Sequence, residues 1–508
     1  MSKAVETTKV MGDGSKGNTI AQFRRLNNPF GESSEITLSF HRDLPRRIKG
    51  AIVVAAQNAT PVHADWWQCI LAAARHYRYE IFVIPLRYKN PTSVWTGSQR
   101  NAEHWAEAVK PFLWNKRHVL NDNLTLFADV PTQPTDTTPL SGLDAMSGPQ
   151  SAIYGHVKLN STNIPVASGR MPKTMTTTGA CTEENYTLTK RGIIAEFHHS
   201  LSALLVEFEG PRFHVRQLHY SKTHNSATDG LKGNTFHPNG TVSSAPRPLA
   251  LGCGDIHVDF IDPQVWKATV KVLERLQPEA VILPDLLDSY AINHHSRNDL
   301  LVQKAKHDSG RNNMKAESLR AIGWTRGNAK RFDQTEWVVQ ASNHNDMLRR
   351  WVLDKLKHGF TDDVHNMEFG LETALYMARN SVMRENGVHY PDPLHYWFQQ
   401  QQGLEGNIRL LHLDEQYAKG DVALHLHGDL GANGAKGSAK TFAHMGDKSV
   451  TFHRHIDYIY EGNYGAGTKT YRRLEYNHGL SSWTNADVLV QWDGKRQIVR
   501  YIDGHCHN

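Results

Sequence analysis

Cysteine is scarce in this chain: Cys69, Cys181, Cys253 and Cys506 are the only four among 508 residues, and no two stand at CxxC spacing. That excludes a disulfide framework and a zinc ribbon. Long apolar runs are missing too; none approaches the ~20 residues a membrane-crossing helix needs. The N-terminus, MSKAVETTKVMGDGSKGNTIAQFRR, is polar and lacks the apolar segment of a signal peptide, so a cytosolic protein without membrane contact is expected. Charge of one sign is also in short supply. The net charge of +6 is compatible with a phosphate-bearing partner without demanding one. There is no internal repeat and no heptad pattern.

What is there is length and histidine. A chain of 508 residues exceeds what one core usually serves, so two domains are expected. The 39% hydrophobic and 21% charged residues are ordinary for a globular protein. Thirty histidines are many for this length, and histidine is the commonest transition-metal ligand. Surface histidines could account for most of them, so their positions carry the information.

Residues 1–30 read as a flexible arm. Residues 31–220 read as an α/β domain of unassigned role, because KGAIVVAAQNATPV, HADWWQCILAAARHYR and YEIFVIPLRY suggest strand, amphipathic helix and strand. Trp66 and Trp67 on that helix are expected in its core. Residues 221–247 lose periodicity and read as a linker or a working loop. Residues 248–508 then repeat one theme, an apolar strand followed by Asp, His or Asn and then a helix. It recurs in PLALGCGDIH, EAVILPDLLD, EWVVQASNHN, DVALHLHGD and KSVTFHRH. In open α/β sheets, ligands bind beyond the carboxyl ends of the strands.

The strand-end residues are Asp255, His257, Asp285, Asn343, His344, His427, His453 and His455. Carboxylate, amide oxygen and imidazole suit Mn²⁺, Fe²⁺ or Zn²⁺. Two such ions need about eight ligand slots, and a shared carboxylate fills two of them. The glycines after His427 would let the backbone turn away beside bound phosphate.

This order of motifs resembles the calcineurin-like metallophosphoesterases, whose pattern is DxH, GDxxD, GNH[DE], a lone His and GHxH. Here these are GDIH (254–257), PDLLD (284–288), SNHN (342–345), HGD (427–429) and FHRH (452–455). Pro284, Ser342, Asn345 and Phe452 depart from the pattern, all beside ligand positions. The resemblance implies a C-terminal two-sheet α/β sandwich of metallophosphoesterase type, preceded by a separate α/β N-terminal domain. It also implies one metal held by Asp255, His257, Asp285 and His455, and a second by Asp285, Asn343, His427 and His453. Mn²⁺ is expected first, with Mg²⁺, Fe²⁺ or Zn²⁺ as alternatives. His344 would act on the attacked phosphate, with Asp346 the nearest replacement for the orienting acid missing at Asn345. The layout is similar to that of the pre-early host-DNA degradation proteins of T-five-type phages, a family linked to double-strand-break repair nucleases. That implies a deoxyribonuclease in the host cytoplasm, with DNA as partner and a second copy or another phage protein as further partners.

Several residues admit two readings. His294, His295 and Arg297 read equally as phosphate contacts or as a solvated loop. Lys436 and Lys440, one turn apart if GAKGSAK opens a helix, lean towards a phosphodiester contact. Asp288 reads as a partner of a ligand histidine or as a helix cap. His198 and His199 lack a surrounding ligand cluster. Rival functions are a phosphatase or phosphodiesterase for a small molecule or phosphoprotein, and a non-catalytic host-takeover scaffold. The large extra domain and the basic balance favour a polymer substrate.

Overall fold

The computed structural model describes residues 40–44, 48–88, 104–401 and 405–506; the expected arm, residues 1–30, lies outside these. The protein is mixed α/β, with both parallel and antiparallel strand pairs. It divides into two compact units. One comprises residues 1–160, 174–227 and 236–242; the other comprises 161–173, 228–235 and 243–508. The stretch 221–247 is thus not a single hinge between halves. It carries short strands at Ser226–Asp229, Asn234–Phe236 and Val242–Ser244, and Leu231 and Phe236 within it are fully buried.

The first unit is built on β1 (Gly50–Gln57), α1 (Ala64–Tyr77), β2 (Glu80–Leu86), β3 (Ser202–Glu209) and β4 (Arg212–Ser221). Every residue of β1 is buried, as an unbroken apolar run requires of a central strand. It pairs in parallel with β2 and antiparallel with β3, which pairs antiparallel with β4. The His63 side chain caps α1 by accepting from the Trp66 amide. Trp66 and Trp67 are buried in this unit's core, as expected. His199 is held between the Tyr186 hydroxyl at 2.7 Å and the Thr182 carbonyl at 3.0 Å.

Among the described residues the second unit carries two larger sheets and a two-stranded one, Val382–Arg384 with Gly387–His389. The first contains β5 (Ala250–Gly252), β6 (Ala280–Leu283), β7 (Glu336–Val339) and β8 (Ile408–Leu410), all parallel neighbours in the order 8-7-6-5. Helix α2 (Pro263–Leu276) links β5 to β6, α3 (Met314–Arg331) precedes β7, and α4 (Met347–His358) follows it. The second sheet holds β9 (Val422–Ala423), β10 (Lys448–Thr451), β11 (Tyr458–Tyr460) and β12 (Asn463–Gly465). Strands β13 (Ala486–Val490) and β14 (Arg496–Arg500) complete the first sheet antiparallel beside β5. The two sheets face each other: a Cβ on Gly252 would lie 3.2 Å from Val450 and 3.3 Å from Phe452.

Strand β9 is shorter than DVALHL suggests. The Leu424 carbonyl, free to continue a ladder, instead accepts from the Gln340 side chain at 2.9 Å. SYAINHHSRND forms two tight turns, Tyr290–Ile292 and His294–Ser296, with a helix only from Leu300. Lys436 does not share a helix with Lys440. Ser438 caps the helix Ala439–Ala443, so Lys436 lies in the glycine-rich loop before it. Among the described residues no helix is long and apolar enough to cross a membrane.

Candidate metal centre

The first sheet delivers its acids through close backbone packing. Gly254, after β5, donates its amide to Asp487 Oδ1 at 2.9 Å, and a Cβ there would lie 2.7 Å from the backbone at Gly467 and Thr468. Only glycine fits so close an approach. Next, Asp255 donates its amide to the Gly467 carbonyl at 3.0 Å, while its own carbonyl accepts from the Lys469 amide at 2.8 Å and the Thr468 hydroxyl at 3.0 Å. The His257 amide then bonds the Asp285 carbonyl at 2.7 Å, joining the first motif to the second.

The remaining motifs lock onto these two acids. The His344 amide donates to Asp285 Oδ1 at 3.3 Å, and the His453 amide to Asp255 Oδ1 at 3.2 Å. The Phe452 amide reaches the His427 carbonyl at 2.7 Å. Gly428 turns away at φ 113°, and a Cβ there would lie 2.9 Å from the Phe452 carbonyl oxygen. Four residues of the set hold left-handed backbone: His257 (43°), Asp285 (41°), His453 (70°) and His455 (56°). That conformation costs non-glycine residues roughly 1–3 kcal/mol each and concentrates at functional sites.

With one oxygen of each acid occupied by backbone, the other faces imidazoles. Asp285 Oδ2 lies 3.3 Å from His427 Nε2 and 3.7 Å from His257 Nε2. Asp255 Oδ2 lies 3.1 Å from His455 Nε2. His257 Nε2 and His455 Nε2 are 3.3 Å apart, and Asn343 Oδ1 is 2.9 Å from His427 Nε2. Neither Asp255 Oδ2 nor Asp285 Oδ2 accepts a hydrogen bond, although both side chains are fully buried. Buried carboxylate oxygens are normally bonded or bound to a metal. These donors fit a divalent cation.

Three groups of side chains could hold a metal: His257, Asp285 and His455; Asp285, His427 and His453; and His257, Asp288 and His344. The first two share Asp285. Among the described residues all such groups belong to the second unit. Burial opposes the charge on Asp285, but His427, His344 and His257 outweigh it and hold its carboxyl well below the usual range. Burial likewise opposes charge on His427, and the Asp285 carboxylate overcomes it, lifting the imidazole to about 9. For His453, burial and then the His427 charge push the imidazole down.

Asp288 sits behind His257, its Oδ1 3.1 Å from Nδ1, which favours the ligand-partner reading over a helix cap. His344 Nδ1 meets the Asp288 carbonyl at 2.8 Å. Asp346 does not orient it: that acid pairs with Arg349 at 2.6 Å and Arg350 at 3.1 Å. Asn345 instead ties motifs together, accepting from the Leu287 amide and donating to the Gln340 carbonyl, both at 3.0 Å.

Other expected contacts lie elsewhere. His294 and Arg297 line a separate cavity of about 400 Å³ that includes none of the candidate ligands. The Arg297 guanidinium is already held by Asp354 at 2.9 Å and Asp362 at 2.5 Å. The side chain of His295 lies outside the described part of the structure. Lys436 is exposed in its loop. Sequence reasoning missed the support beneath Asp255. There Lys469 and Asp487, both fully buried, pair at 2.7 Å, and Tyr501 donates to the same carboxylate at 2.6 Å. A lysine near the end of GAGTKT gives no sign of burial. Removing one partner of such a pair costs about 3–5 kcal/mol, because the other charge stays buried. Lys469→Met should therefore lower the urea midpoint of unfolding by a corresponding amount. An unchanged midpoint would show that the pair is not what holds this loop.

Among known proteins, one from Escherichia phage T5, "Protein A1", is 27% identical over 470 residues, 90% of this chain and 82% of that protein. No family model matches the chain. No solved structure matches it.

Proposed function

We propose that this chain is a two-metal phosphodiesterase acting on DNA, with a C-terminal sandwich of metallophosphoesterase type. The observation that carries this reading is Asp285 Oδ2. It is a buried carboxylate oxygen without a hydrogen bond, facing His257 on one side and His427 on the other. One acid placed between two ligand groups is what a bimetallic site requires. Asp255, His257, Asp285 and His455 would hold one ion, and Asp285, Asn343, His427 and His453 the other. The donor set suits Mn²⁺ first, and also Mg²⁺, Fe²⁺ or Zn²⁺. When bound, such a pair lowers the pKa of water towards neutrality and neutralises phosphoryl charge.

The chain's own residues supply the rest. The Asp288 carbonyl accepts a hydrogen bond from His344 Nδ1–H, which leaves Nε2 as the nitrogen that would carry the transferable proton of the imidazolium. From there it would be given to the leaving oxygen. Asp288 Oδ1 likewise lies 3.1 Å from His257 Nδ1. Similarity to a phage T5 protein supports a role in phage takeover of the host cell.

The test is hydrolysis by purified protein in Mn²⁺ and in EDTA. Substrates are linear duplex, circular single-stranded DNA and p-nitrophenyl phosphate mono- and diesters. Cleavage of DNA and of the diester, abolished by EDTA, is expected. Turnover of the monoester alone would make the protein a phosphatase. No turnover of any substrate would leave a non-catalytic binding protein.

A further inference from the structure

The loop from Tyr471 to Trp483 belongs to none of the five motifs, yet it walls one side of the His/Asp cluster. Trp483 sets its ring edge-on against His455, with centroids 4.1 Å apart and planes at 75°. Tyr476 stands beside Trp483, with centroids 6.0 Å apart and planes at 65°. The Tyr476 phenol is pushed far up, first by burial and then by the charges of Asp288, Asp285 and Asp255. The residue as a whole is 49% exposed. An aromatic ring in that position is neither core nor ordinary surface.

The wall is held in place before any ligand arrives. The Arg473 guanidinium donates to the Gly479 carbonyl at 2.5 Å and the Val166 carbonyl at 2.9 Å. Glu475 accepts from the Tyr290 hydroxyl at 2.9 Å. The Asn477 side chain donates to the Arg472 carbonyl at 3.2 Å and pairs with the Ser481 hydroxyl at 3.1 Å. The Thr484 amide donates to the His455 carbonyl at 3.0 Å, fixing the Trp483 end to the cluster itself. Arg473 and Glu475 are thus spent on the loop's shape.

We propose that Tyr476 and Trp483 are a stacking platform for an unpaired nucleobase beside the phosphodiester held at the cluster. This inference rests on the phosphodiesterase reading and narrows it to single-stranded or frayed DNA. A base paired inside a duplex has both faces covered, whereas an unpaired base offers a π-face to any aromatic ring, whatever its sequence. A base is also the only aromatic group within one nucleotide of a scissile phosphate.

The experiment compares kcat/KM on oligothymidylate and on a strand of equal length made of abasic tetrahydrofuran phosphates, in Mn²⁺. Base stacking contributes enough that the unaltered protein should prefer the base-bearing strand by roughly tenfold or more. In Tyr476→Ala that preference should nearly vanish, and in Tyr476→Phe it should persist, because the ring and not the hydroxyl does the stacking. Equal thermal unfolding midpoints would show that each variant is folded. Full preference in Tyr476→Ala would overturn the platform, as would its loss in Tyr476→Phe. Equal cleavage of both strands by the unaltered protein would also overturn it, while leaving the phosphodiesterase reading intact. Cleavage of neither strand would overturn that reading and this inference with it.

Discussion

Asp285→Asn should lose most metal and most hydrolysis together, with the fold intact. The substitution keeps the shape and an oxygen able to accept from the His344 amide at 3.3 Å. It replaces Oδ2, the oxygen facing His257 and His427, with an amide nitrogen that can only donate or stay neutral. The charge that lifts His427 to about 9 disappears as well. Both proposed ligand groups contain Asp285, so one change weakens both. Metal-based stabilisation of a phosphoryl transition state is worth several kcal/mol, or roughly 10²–10⁴-fold in rate. Elemental analysis beside a nuclease assay checks it. Undiminished metal content with undiminished turnover would show that Asp285 does not bridge.

The rhythm of strand and ligand was readable because buried parallel strands appear as short apolar runs with polar residues at their ends. AVIL, EWVV and KSVT all form where that pattern places them, and the residues after them converge. Other features left no local trace. Residues 161–173 and 228–235 belong with the C-terminal unit through pairings distant in sequence, which composition cannot register. Left-handed backbone at His257, Asp285, His453 and His455 is imposed by packing, since no glycine marks it. Arg297 looked available for phosphate because its partners, Asp354 and Asp362, lie more than fifty residues away. Tyr476 and Trp483 sit in a stretch without periodicity, so only the folded loop sets Trp483 against His455 and Tyr476 beside Trp483.

His344→Ala should separate binding from chemistry. The ring is held at Nδ1 by the Asp288 carbonyl, and its main-chain carbonyl accepts from the Ser289 hydroxyl at 2.9 Å. Its neighbour Asn343 meets His427 instead, so adjacent residues at one strand end serve different sides of the site. Losing a general acid typically slows a reaction by roughly 10²–10⁴-fold. The variant should therefore retain its metal ions and its DNA binding, yet cleave far more slowly. A substrate whose leaving group needs no proton, such as a p-nitrophenyl diester, should suffer less. His453→Ala provides the contrast. That side chain shares a ligand group with Asp285 and His427, so its loss should remove metal and activity together. His344 also lies within a third group, with His257 and Asp288, that is able to hold a cation. Metal content thus decides its role. If His344→Ala drops an ion as His453→Ala does, His344 is a ligand, and the proton must reach the leaving oxygen from another group.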